Sequence, residues 1–263
     1  MEKIKYKEIK YDDFKDYKWN GVQDEERCTK FLFHGSRKGL IDEEPEKLEV
    51  FFKENNIFMS YLKENIYGIL NEMGLNREEQ YKKIRGLYRI DMYKECKSFE
   101  YGDFYLAANF LSAADFTRFK AGELCEVCCL CAKDIQKLGI VFKDDEINKL
   151  MGRIVERHEE YGETEAVILA VENTSFDDLC WDDGSKINVY DEESMEFVYD
   201  LEVSLYDRSN RNYRLNNPAN YEFLLIHRAD FLKFIPVFTS IKENEVDELN
   251  DPDNCIGYSY LFK

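Results

Sequence analysis

The stretch FLFHGSRKGL, residues 31–40, sets a histidine at the end of a short apolar run and on a glycine turn. It holds one of only three histidines in 263 residues. Phe31, Leu32 and Phe33 read as a short buried strand ending at His34-Gly35-Ser36. Alone, that pattern is an ordinary strand end with a surface histidine. Its meaning depends on what the rest of the chain can bring to it.

Working outward, the composition is globular. Hydrophobic residues make up 44%, with 18 Tyr, 19 Phe and only four Pro, enough to bury a substantial core without Pro-rich linkers. The net charge of −18 repels polyanions and argues against nonspecific binding to a phosphate backbone. The sequence has no apolar run long enough for a membrane span. The start, MEKIKYKEIKYDDF, is charged throughout and has no apolar signal core. Eight cysteines in that setting are expected as reduced thiols in the cytoplasm.

Residues 45–97 follow a helical pattern, with Leu48, Phe51, Phe52, Ile57, Phe58, Tyr61, Leu62, Ile66, Ile69 and Leu70 largely three and four apart. Gly74 is the expected stop, and Asn76 the N-cap of a following helix. Residues 103–107 read as a strand after the Tyr101-Gly102 turn. Ser112 reads as the N-cap of a helix running toward 138, and 144–160 as a further helix. The run Ala166–Val171 is a strand, and Asp182-Asp183-Gly184 a turn. The alternation of Leu201, Val203 and Leu205 predicts a half-buried strand, and Tyr221–Ile226 another. The acidic segment 243–254 is expected to be solvated. It lacks the glycine and terminal glutamate of an EF-hand loop. With no regular βαβ alternation, the expectation is a single α+β domain over 1–263, with a mainly antiparallel sheet and a helical insertion at about 45–97.

Three stretches can be taken together. The first is His34-Gly35-Ser36-Arg37. The second is YGDFYLAANFLSAADFTRF, 101–119, with Tyr105 and Ala107 on a strand and Phe116 eleven residues after the tyrosine. The third is NYEFLLIHRADFLKFIPVF, 220–238, where Glu222 enters an apolar strand and Phe231–Phe238 resumes the apolar pattern. In this order they resemble the three signatures of ADP-ribosyltransferases of the diphtheria-toxin and poly(ADP-ribose) polymerase type. Phe116 departs from the family, which usually has a second tyrosine there. The ring is kept for stacking, and the hydroxyl is lost.

The resemblance implies a split, mainly antiparallel sheet, with 45–97 as an insertion or helical lobe. It implies NAD as substrate and no metal. His34 would hydrogen-bond a ribose hydroxyl, Gly35 would clamp the nicotinamide carboxamide through its backbone, and Ser36 would add a side-chain contact. Tyr105 and Phe116 would sandwich the nicotinamide ring, Arg37 would reach adenosine or a phosphate, and Glu222 would stabilise the developing oxocarbenium charge. The implied activity is mono-ADP-ribosyl transfer to a macromolecule. The acidity favours a protein acceptor and leaves a nucleic acid open. A role as a toxin or in phage defence, with an antitoxin or regulatory partner, is the biological setting this resemblance suggests. An NAD glycohydrolase and a catalytically silent NAD- or partner-binding module are the alternatives.

The segment CEVCCLC, 125–131, is dense in thiols. In a helix, Cys125, Cys128 and Cys129 share one face, a poor tetrahedral cage for zinc. Buried reduced cysteines are the expectation. His158 and His227 are expected to be structural or exposed.

Overall fold

The computed structural model describes residues 3–15, 27–28, 31–95, 104–107, 110–181, 184–187 and 212–231. The expected strand at 201–205 and the acidic segment 243–254 lie outside them. Among the described residues no helix is long and apolar enough to cross a membrane.

The fold is α+β. A seven-stranded mixed sheet is built from β1 (Lys5–Glu8), β3 (Leu32–Arg37), β4 (Phe104–Ala107), β5 (Ala166–Val171), β7 (Leu179–Trp181), β8 (Asn212–Leu215) and β9 (Glu222–His227). The order is β1-β9-β5-β3-β4-β8-β7. Only β1 and β9 pair in parallel; the other pairs are antiparallel. A separate ribbon joins β2 (Arg27–Cys28) to β6 (Thr174–Ser175).

β5 explains the centre of the sheet. Its six residues, AVILAV, are all buried, as a strand covered on both faces and paired on both edges requires. It carries β3 on one side through six register pairs and β9 on the other through four. One face meets Leu32, Val167, Leu169, Phe223 and Leu225. The other meets Phe33, Ile168, Ala170 and Ile226, covered by α1 (Tyr11–Lys15) and α6 (Phe110–Phe116) through Phe14, Phe110, Ala113 and Ala114.

β3 runs through His34, Gly35 and Ser36 to Arg37, each paired to β5. The helix expected from Ser112 to 138 is two helices. α6 closes at Phe116, where the Thr117 hydroxyl donates back to the Ala114 carbonyl at 2.7 Å. α7 (Glu123–Lys137) starts after Gly122, whose φ of 84° suits glycine. After β9 the chain turns into a short helix, α9 (Arg228–Phe231). Phe231 is therefore helical, and the rest of the apolar stretch, 232–238, lies outside the described residues.

The helical pattern at 45–97 folds as α3 (Pro45–Glu72), α4 (Arg77–Lys83) and α5 (Leu87–Glu95). α3 buries Phe51, Phe58, Leu62, Ile66 and Leu70, steps of seven and four that keep one stripe inward. Gly74 ends that stretch with φ +77°. Asn76 caps α4, its side chain accepting from Glu79 N at 3.0 Å while Glu79 returns a bond to Asn76 N. These helices share one apolar core with α7 and α8 (Asp145–Gly162). Asn76→Ala should lower the unfolding free energy by about 1 kcal/mol, read by urea denaturation. An unchanged midpoint would mean the capping box contributes nothing.

Candidate functional site

The sheet opens between β3 and β4. Among the described residues their ladder is one register pair, Phe33 with Ala107. Beyond it, Tyr105 pairs outward with Arg214 on β8 and not with Gly35. Phe104 and Phe223 are three strand spacings apart in the sheet order, roughly 14 Å if the sheet were flat. Their ring centroids are 5.5 Å apart. The half-sheet β4-β8-β7 therefore bends over the face of the other half, and β3 borders the opening.

The phase of the β3–β5 ladder decides what faces this opening. Lys38 N donates to Glu165 O at 2.8 Å. Hydrogen-bonded pairs alternate along an antiparallel ladder, so the even-numbered residues of β3 bond β5. The N–H and C=O of Gly35 point the other way, into the split. Gly35 is also where α6 comes closest. A Cβ there would lie 1.8 Å from the Ala113 carbonyl oxygen and 3.2 Å from Phe116 Cβ. Phe116 thus lies beside Gly35.

His34 bridges the opening from the opposite face of β3. Its Nδ1–H donates to the Tyr105 carbonyl at 2.7 Å, and its ring stacks on Phe104 with centroids 4.1 Å apart. A carbonyl only accepts, so the proton sits on Nδ1 and Nε2 keeps its lone pair. Burial pushes the imidazole down to about 4, against the opposing pull of the Tyr105 bond. The ring is therefore neutral at physiological pH. In the unfolded chain it titrates near 6.5. The stability that depends on a neutral His34 is present above pH 6.5 and is lost as pH falls toward 4. An NMR titration should find one imidazole with a midpoint near 4. A midpoint near 6.5 would contradict this burial.

Glu222 begins β9 and is exposed. In register, the β9 residue level with His34 is Leu225, through Leu169 of β5. Glu222 is three residues further, roughly 10 Å of strand. By alternation its side chain leaves the face opposite to Phe223. Its link to His34 is indirect: Phe223 follows it in sequence and meets Phe104, which stacks on His34. Among the described residues no hydrogen bond or ion pair joins Glu222 to His34.

Two further expected residues are held in place. Ser36 is buried. Arg37 donates from NH1 to the Thr164 carbonyl at 3.1 Å, which ties β3 to the end of α8. Sequence reasoning missed Phe104. Its signal was alternation beside Tyr105, but what it stacks on depends on the bend of the sheet.

His158, His227 and the cysteines of 125–131 are elsewhere. His158 is buried with Nε2 2.6 Å from Glu126 Oε2. His227 lies 3.0 Å from Glu165 and 3.6 Å from Glu8. Cys125 packs with Phe51, Ala121 and Tyr161, while Cys128, Cys129 and Cys131 enter the helical core. Burial raises all four thiols, Cys129 to about 11. Zinc needs thiolates converging on one point, and Cys128 instead points its thiol toward the Asn55 carbonyl, 3.7 Å away. Elemental analysis should find no stoichiometric zinc. Zinc that disappears on changing these cysteines to Ser would overturn that expectation.

A groove on the helical lobe is lined by α3 residues including Phe52, Ile57 and Tyr61, with Asp144 and Ile147. None of the sequence-derived site residues lines it. Comparison of the chain with protein-family models, with curated proteins and with solved structures found no match in any of the three. The functional reading rests on the residues and their geometry.

Proposed function

We propose that this chain transfers ADP-ribose from NAD to a macromolecular acceptor, a protein in the first instance. The observation that carries the reading is the split beside Gly35. It offers a backbone donor and acceptor, with Phe116 adjacent and a neutral His34 bridging to Tyr105. Those are the parts that a carboxamide, an aromatic ring and a ribose need, in the order the sequence motifs suggested.

In this reading Gly35 N–H and C=O pair with the nicotinamide carboxamide. Tyr105 and Phe116 hold the ring by stacking. His34 Nε2 accepts a hydrogen bond from a ribose hydroxyl, and a neutral imidazole suits that role near a ring that is itself cationic. The bond between the ribose anomeric carbon and the nicotinamide nitrogen breaks, and its electron pair leaves with nicotinamide. The sugar becomes oxocarbenium-like, and the Glu222 carboxylate stabilises that charge. An acceptor nucleophile attacks the anomeric carbon and gives up its proton to Glu222 or to water. Catalysis then requires Glu222 to reach the ribose from the end of β9, around the Phe223–Phe104 contact.

NAD labelled in its adenylate part tests the reading. Incubation with purified chain and a cell extract should release nicotinamide and label a macromolecule. Free ADP-ribose alone would make the protein a glycohydrolase. Unchanged NAD would leave only a silent binding role and would sink the enzymatic reading.

A further inference from the structure

We propose that the groove on the helical lobe docks a basic amphipathic helix of a partner protein. This surface lies apart from the split sheet and does not depend on the transfer reading. The groove holds about 800 Å³ of open space, room for a row of side chains. Its long wall is one face of α3. Glu49, Phe52, Asn56, Ser60 and Glu64 recur along it in steps of three and four, the spacing that keeps residues on one side of a helix. The start of α8 supplies the rest of the lining, through its N-cap Asp144 and Ile147.

Between the ends of this face the groove is apolar. Phe52, Ile57, Tyr61 and Ile147 line it, and Ile57 is 45% exposed. Glu49 and Glu64 stand about 22 Å apart along the axis, or about four turns. An amphipathic helix of the same length can lay one apolar row along this trough, with anchors three and four residues apart.

Charge selects the occupant. Glu49, Glu64 and Asp144 set three carboxylates on the groove against the single ammonium of Lys53. Asp145 and Glu146 continue the acidic start of α8. Among the described residues, no ion pair or hydrogen bond engages the carboxylates of Glu49 and Glu64. Glu54 of the same helix is instead paired with Arg153 and Arg157 of α8. A partner with Lys or Arg at both ends of its apolar row meets the carboxylates of Glu49 and Glu64. A second copy of the chain brings another net −18, and the phosphates of a nucleic acid or a lipid surface bring more negative charge, so both are repelled.

The test is equilibrium binding to the full chain of two labelled synthetic peptides of about four helical turns. One is made of Leu and Lys, with Leu three and four residues apart; in the other Glu replaces every Lys. The Leu/Lys peptide should bind more tightly. Ile57→Ser should weaken it about 10-fold, the loss expected when an aliphatic side chain is no longer there to be buried. Glu49→Lys combined with Glu64→Lys should lower the ratio of the two affinities about 10-fold. Val141→Ser, at a residue 77% exposed and outside the groove lining, should change neither affinity. The Ile57 loss together with the changed ratio supports the docking site. It is overturned if Ile57→Ser binds within about twofold of wild type, if the double variant keeps the wild-type ratio, if Val141→Ser loses as much as Ile57→Ser, or if the wild-type chain binds neither peptide.

Discussion

Replacing Glu222 by Gln is expected to lower NAD turnover about 100- to 1,000-fold, the usual cost of removing one preorganised electrostatic group. The change keeps size and shape and removes the charge. If the carboxylate acts on an oxocarbenium-like ribose, its interaction is stronger in the transition state than with bound NAD. The loss then falls on turnover, with NAD affinity little changed. His34→Ala should differ by weakening NAD binding as well, since a ribose hydrogen bond exists in the ground state. The exposed position of Glu222 at the start of β9 makes the competing outcome concrete. An exposed strand residue tolerates Gln, and near-wild-type NAD consumption would remove Glu222 from the chemistry.

Gly35→Ala is expected to abolish NAD binding and to destabilise the fold. The reason is steric. The new Cβ would sit 1.8 Å from the Ala113 carbonyl oxygen and 2.8 Å from its carbon, and both are backbone atoms of α6. No rotamer change relieves that contact, so α6 must move off β3. Overpacking of this kind costs roughly 1–3 kcal/mol, and more where backbone must shift. The displaced helix carries Ala113, Ala114 and Phe110 of the core on that face and takes Phe116 with it. Thermal melting and NAD binding measured together check this. A variant that melts and binds like wild type would mean that α6 does not approach the strand this closely.

Much of the local structure was legible in the sequence. Gly74 and Asn76 end one helix and cap the next through chemistry confined to a few residues. The run at 166–171 could be read as a buried strand because every residue in it is apolar. The α+β class followed from such local readings. The break between α6 and α7 was not legible, since no proline marks it and the turn depends on Gly122 at positive φ. The union of α3–α5 with α7 and α8 in one core was also hidden, because it depends on packing between segments far apart in sequence.

The site was legible in part for the same reason. His34, Gly35 and Tyr105 belong to short motifs, and the fold places residues 34 and 105 within a hydrogen bond of each other. The split between β3 and β4 is a property of register, set where Phe33 alone among the described residues meets β4, at Ala107. No property of either segment taken singly announces it. The stacking of Phe104 on His34 follows from that arrangement and was missed with it.

The most direct measurement is a structure of the full chain with a non-hydrolysable NAD analogue. The account predicts the nicotinamide between Tyr105 and Phe116, its carboxamide on Gly35, and a ribose hydroxyl in reach of both His34 Nε2 and the Glu222 carboxylate. It would be contradicted if Glu222 stayed more than about 15 Å from His34 in that complex, too far for one ribose to touch both at hydrogen-bond distances.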